Sequence, residues 1–150
     1  MQVCLYMYDS NMTLQQLSKT IALNIKSKHS LMSQSFLLDK FMYNYPYKDN
    51  QHMFHEQNKG PKSNIVFEDK RIQTEMIFWK QNEQILMKNG LTIVINGQLE
   101  EHVVHKNSNK LLYTRILKPN YSVLVDNHNF RHICKGLLDK TISFHVYSKQ

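Results

Sequence analysis

Glycine, proline and alanine are scarce in this 150-residue chain, at four, three and one residues. That scarcity excludes low-complexity linkers, collagen-like repeats and glycine-rich phosphate loops. Cysteine occurs only as Cys4 and Cys134, which excludes a disulfide framework and predicts reduced thiols. No apolar run approaches the ~20 residues that span a bilayer. The opening residues lack the basic start and apolar stretch of a signal peptide. The expectation is a cytoplasmic protein with no membrane contact. No Gly-x-Ser-x-Gly or Cys–His nucleophile pattern is present.

What is there is globular. Hydrophobic residues make up 41% and charged residues 21%, the composition of one folded domain over residues 1–150. Net charge is +7. Residues 1–60 hold six lysines against four acids, and residues 61–150 hold thirteen Lys/Arg against eight. With no cluster of basic residues, this reads as a solvated lysine-rich surface, and nucleic acid is not an expected partner. Abundant Asn, Lys, Ile, Met and Tyr suggest coding by an A+T-rich genome.

The chain divides near residue 60. Residues 13–27 predict a helix capped by Thr13 with Gln16 three residues on, and Leu14, Leu17, Ile21 and Ile25 fall on one face. Ser30 predicts the cap of a second helix carrying Leu31, Phe36, Leu37 and Phe41. Residues 43–64 are polar, aromatic and turn-rich, a connection with a short helix near 51–57. From residue 64, short β-branched and aromatic runs appear at 65–67, 74–79, 91–95, 99–104, 111–116, 121–125 and 142–147. Asn89-Gly90 and Asn96-Gly97 mark turns between them. The predicted fold class is α+β: N-terminal helices over residues 1–60, then an antiparallel β-sandwich or barrel over 61–150.

In the last run, alternation puts Ser143, His145 and Tyr147 on one face and Ile142, Phe144 and Val146 on the other. The polar row reads either as the exposed face of an edge strand or as a buried, hydrogen-bonded row.

Ser143-Phe144-His145-Val146-Tyr147-Ser148 resembles the final core strand of the cysteine dioxygenases, which runs Ser-Leu-His-Leu-Tyr-Ser-Pro. Three other stretches are similar in order: Asn64-Ile65-Val66, the strand ending at Trp79, and Asn96-Gly97-Gln98-Leu99-Glu100-Glu101-His102. The resemblance covers about residues 60–149. It implies a cupin-type β-sandwich and an iron centre held by three histidines, two of them from a His-x-His pair.

That pair is missing here. Counted back from Gly97 it falls on Glu83 and Ile85, and counted forward from Trp79 on Lys88 and Gly90. In the first register Gly90 also takes the place of a crosslinking cysteine found in many animal members. The substrate-binding arginine corresponds to Ser63. His132 matches the third ligand. What survives is a vestigial site of Ser143, His145, Tyr147 and His132. The expectation is therefore an inactivated thiol dioxygenase homologue with no enzymatic activity, no metal and no cofactor. It would be reused as a protein-interaction or structural factor with an unidentified protein partner. Such a chain suits a large, poxvirus-like DNA virus that captured a host gene, which would place it in host cytoplasm. The alternative is a residual metal-dependent dioxygenase with a rebuilt set such as Glu83, His132 and His145.

Other groups read as surface residues. His52-x-x-His55-Glu56 could share a zinc ion only on a helix. His102 and His105 face opposite ways on a strand, and His128 and His132 could meet only on a helix. Tyr43, Tyr45 and Tyr47 form an aromatic loop and are the candidate interaction residues. The sequence leaves the oligomeric state open.

Overall fold

The computed structural model describes residues 13–26, 34, 60–119 and 121–149. Among these there is one α-helix, α1 (Leu14–Lys26), and nine strands. The strands are β1 (Lys62–Glu68), β2 (Ile72–Trp79), β3 (Gln84–Leu86), β4 (Gly90–Asn96), β5 (Leu99–His105), β6 (Leu111–Leu117), β7 (Ser122–Val125), β8 (Phe130–Gly136) and β9 (Thr141–Ser148).

Helix α1 starts where its cap predicts. The Gln16 amide donates to Thr13 Oγ1 at 3.1 Å, and the Thr13 amide donates back to Gln16 Oε1 at 2.8 Å, a reciprocal capping box. The expected plural helices are not borne out, since the described residues hold one. The second helix from Ser30, the short helix near 51–57 and the 43–47 tyrosine segment fall outside the described residues, Gln34 excepted.

All strand pairings in the two sheets are antiparallel. The five-stranded sheet runs β1-β2-β9-β4-β7 and the four-stranded sheet β3-β8-β5-β6. The last strand of the chain is thus the middle of its sheet. This decides between the two readings of the polar row. Strand β9 is no edge strand, and Thr141 to Tyr147 are all buried.

The two faces of β9 pack against different things. Phe144 and Val146, with Ile72, Leu91 and Ile93, form an outer layer under Leu17, Ile21 and Ala22 of α1. The apolar stripe of the helix therefore covers one face of the five-stranded sheet. Ser18 ties it down, since its hydroxyl bonds the Leu14 carbonyl and Thr74 Oγ1, both at 2.7 Å. The opposite face meets the four-stranded sheet. Ile77, Trp79, Val94, Val123 and Val125 from one sheet pack with Leu99, Leu117 and Cys134 from the other, closed by Met87. Burial of these side chains is the main force holding the sandwich together.

Gly90 opens β4 at φ +154°, and a Cβ there would collide with the Val146 carbonyl oxygen. That close approach lets β4 lie flat against β9. Gly97 follows β4 at φ +78°, the left-handed turn its Asn-Gly dipeptide predicts.

Candidate functional site: two polar networks inside the sandwich

The row on β9 faces the interior, and each member is tied to a neighbouring strand. Ser143 Oγ accepts the Trp79 indole N–H at 2.7 Å. Ser143 Oγ also bonds His145 Nε2 at 2.5 Å. His145 Nδ1 bonds Thr92 Oγ1 at 2.9 Å. Cross-strand register brings this about, since Ile77 and Val94 flank Ser143 while Glu75 and Thr92 flank His145. In a neutral imidazole one nitrogen donates and the other accepts, so both ring nitrogens are occupied whichever tautomer is held. Burial drives the His145 pKa down from 6.5 to about 3, so the ring is neutral at physiological pH.

Tyr147 ends the row. Its ring stacks on His145 with centroids 5.6 Å apart, and Lys88 Nζ lies 5.1 Å from its centroid. Burial pushes its phenol well above the ordinary range, and the nearby Glu75 carboxylate adds to the shift. The phenol therefore stays protonated.

A second network faces it from the four-stranded sheet. Glu101 is fully buried. Arg115 Nε donates to its Oε1 at 2.6 Å, and His132 Nδ1 lies 3.3 Å from its Oε2. Register again explains the meeting: Glu101 sits opposite Arg115 on β6 and Cys134 on β8, two pairs along from His132 and so on the same face. Burial works to raise the Glu101 pKa, but hydrogen bonds from His132 and Arg115 and the guanidinium charge overcome it and hold the carboxyl below its ordinary value. Cys134 lies against this network, and burial, aided by the Glu101 charge, pushes its thiol far above the range in which thiolates form.

Among the described residues, Asn127 Oδ1 is the buried side-chain polar atom without a partner. Both networks are thus internally satisfied, which burial demands of polar groups.

The four vestigial residues are divided between the two sheets. Ser143, His145 and Tyr147 stay together, while His132 belongs to the opposite sheet and is committed to Glu101. The expectation that Glu83 and Ile85 stand at the lost ligand positions meets two structural residues. Glu83 Oε1 accepts the Lys80 amide at 2.6 Å in the turn after β2, and Ile85 packs into the apolar core. Glu83, His132 and His145 are not brought together, and no described group of three His, Cys, Asp or Glu side chains could hold a metal ion. The donor set therefore does not fit the three-histidine iron centre that the resemblance implies.

Among the described residues the remaining histidines lie apart, and the His52–His55 pair falls outside the described residues. His102 bonds Glu100 Oε1 at 2.5 Å and Thr114 at 3.2 Å, and the His105 ring packs edge-on against Phe130. His132 departs from the surface reading, being only 6% exposed. Three network residues went unrecognised in the sequence, Thr92, Glu101 and Arg115. Glu101 shares the strand parity of Leu99 and Val103, which signals an inward carboxylate. No comparable local signal marks Arg115 as its partner.

The described residues form a two-sheet antiparallel sandwich with one α-helix on an outer face, a β-sandwich of cupin type. Solved structures agree. KdgF from Halomonas sp. is similar with a TM-score of 0.54 and 13% identity, over 71% of this chain and 95% of that one. CapF, solved with the inhibitor 3-isopropenyl-tropolone, is similar with a TM-score of 0.51 and 14% identity over 71% of this chain and 34% of CapF. Drosophila melanogaster CENP-C, bound to CAL1, is similar with a TM-score of 0.51 and 13% identity, over 64% of this chain and 75% of that one. No protein-family model and no curated protein sequence matches the chain. At these identities the likeness concerns the fold alone.

Proposed function

We propose that this chain is a degenerate relative of the cysteine dioxygenases that has kept the cupin scaffold and works as a protein-interaction factor without catalysis. The observation that carries this reading is the commitment of the interior imidazoles. His145 spends both nitrogens on Ser143 and Thr92, and His132 is turned to Glu101. An iron dioxygenase needs several neutral imidazoles converging on one point with open positions beside them.

Two features support the family resemblance. The Ser-His-Tyr row sits on a central strand and binds Trp79, the residue that ends the matching apolar strand. Gly90, which takes the crosslinking cysteine's place in the register counted back from Gly97, lies directly opposite Tyr147. The loss of chemistry with retention of the row has a physical reason. Each member bonds another, so removing one strands a buried partner, and the network persists as structure. The fold is compatible with binding proteins, since CENP-C was solved in complex with CAL1. The A+T-rich composition fits capture by a large DNA virus and action in host cytoplasm. Among the described residues, no helix is long and apolar enough to cross a membrane.

The test is metal content and thiol oxidation. Purified protein is incubated with Fe(II), desalted and analysed by mass spectrometry beside His132→Ala. Oxygen uptake is followed with cysteine and other small thiols. The expected result is substoichiometric iron, equal in both proteins, and no thiol-dependent oxygen uptake. One iron per chain, lost on substitution of His132, would overturn the proposal.

A further inference from the structure

We infer that the chain forms a twofold dimer by antiparallel pairing of strand β6 with β6 of a second copy. Strand β6 ends the four-stranded sheet, with β5 on one side and no described strand on the other. Seven residues long, it is apolar where it meets solvent: Leu111 is 52% exposed, Leu112 45%, Tyr113 46% and Ile116 41%. Natural sheets protect such an edge with lysine, proline or an inward charge. Here the inward charge is Arg115, but Glu101 neutralises it within the chain, and the lysines stand only at the ends of the strand.

The free backbone groups can be located. The Met87 amide donates to the His132 carbonyl, so His132 turns its backbone toward the β3 side of β8. Alternation then turns Ile133 toward β5, where it meets His102, and leaves Glu101 and Val103 to bond β6 through Arg115 and Tyr113. Thr114 and Ile116 consequently point N–H and C=O away from β5. A bulge skips Leu112 in the β5 register, which frees its backbone as well.

The occupant follows from the order of side chains. A twofold interface is self-complementary, so a strand that pairs with itself needs a palindromic pattern. Residues 111–117 read Leu-Leu-Tyr-Thr-Arg-Ile-Leu. Centred on Thr114, Leu112 meets Ile116 and Tyr113 meets Arg115, while Leu117 at the end of the strand is turned into the core. The last pair repeats a cation–ring contact already made within the chain, with Arg115 5.7 Å from the Tyr113 centroid. A strand selected to bind a foreign peptide has no need of this symmetry. The area is modest, on the order of 1,000 Å² in total, which sits at the low end for specific contacts and suits micromolar affinity. One feature opposes pairing: Lys110 lies opposite Lys118 at each end of the strip. Salt screens that repulsion, so the dimer tightens as ionic strength rises. The inference stands apart from the proposed function, since a chain with chemistry inside would pair the same way.

Sedimentation velocity on the full chain, from low micromolar to several hundred micromolar and at two salt concentrations, tests it. The expected result is a reversible monomer–dimer equilibrium that shifts toward dimer in high salt. Ile116→Lys and Thr114→Pro should each weaken association at least about tenfold, with thermal unfolding showing that the variants remain folded. A disulfide assay guards against a poorly folded variant. In a Cys4→Ser background, Thr114→Cys should oxidise to a covalent dimer. Leu112→Cys should not do so alone, but should when mixed with Ile116→Cys. A chain monomeric throughout the range overturns the inference. So does a dimer that Ile116→Lys leaves intact, or crosslinking equally efficient at residues 112 and 114.

Discussion

On the five-stranded sheet, Trp79, Ser143, His145 and Thr92 are buried as neutral groups in a hydrogen-bonded chain. On the four-stranded sheet, Glu101 is buried as a charge, held by Arg115 and His132. The two networks face each other across one core, yet they satisfy burial in different ways. A neutral chain carries no ionic desolvation cost, so it can sit on the central strand with His145 fully inaccessible. A buried carboxylate needs a counter-charge, and Arg115 supplies one from the edge strand, where its side chain keeps 35% of its exposure. Position in the sheet thus sorts the chemistry: neutral groups at the centre, the ion pair where one partner can reach water.

The largest expected effect comes from breaking the neutral chain at its middle. His145→Ala removes an imidazole bonded at both nitrogens, strands the Thr92 hydroxyl and half of Ser143, and leaves a cavity. A loss of about 4 kcal/mol is expected, measured by urea unfolding. Thr92→Val in the His145→Ala background should cost less than in the wild type, because its partner is already gone. Additive losses would show that the chain is not a chain.

Arg115→Met tests the ionic side. It leaves Glu101 buried with His132 as its remaining partner. Breaking a fully buried pair costs about 3–5 kcal/mol, and the exposure of Arg115 reduces the expectation to about 2–3 kcal/mol. Adding Glu101→Gln should restore part of the loss, since no charge is then left uncompensated. A double variant weaker than Arg115→Met alone would break the contrast between the networks.

The neutral network also leaves a mark on pH dependence. Unfolded, His145 takes a proton near pH 6.5, but folded it does not until about pH 3. The unfolded state therefore binds more protons between those values, and stability falls as pH drops through 6.5. From pH 7 to pH 5 the expected loss is about 2 kcal/mol. His145→Asn, which does not titrate, should flatten this slope in thermal melts. Glu101, held below its ordinary value, adds a loss only under about pH 4.5, toward its depressed folded pKa. An unchanged slope in His145→Asn would place the acid sensitivity elsewhere.

The two networks were not equally legible in the sequence. The neutral row lies on one strand, so alternation alone placed Ser143, His145 and Tyr147 on one face. Its depth in the sheet was not readable, because strand order depends on pairings between distant segments. The ionic group is spread over β5, β6 and β8, and only the inward parity of Glu101 could be seen locally. Strand β8 itself escaped notice. Arg131, His132 and Lys135 give it a polar appearance, while its inward positions are His132, Cys134 and Gly136. Strand β3 has three residues, too few to show a period. The capping box of α1 and the Asn96-Gly97 turn were legible because their causes are local.

The smallest effect concerns the two hydroxyls that flank His145. Ser143 serves two partners, the Trp79 indole and His145 Nε2, while Thr92 has one described partner, His145 Nδ1. Ser143→Ala leaves a buried indole N–H and one ring nitrogen unpaired, for a loss of about 2 kcal/mol. Thr92→Val nearly preserves shape and strands a single ring nitrogen, for about 1 kcal/mol. Urea unfolding measures the difference, and nitrogen-15 shifts of His145 show which nitrogen carries the proton in each variant. If Thr92→Val proves the more costly, the chain is anchored from β4 rather than from Trp79. The indole contact would then be a consequence of packing and not the fixed end of the network.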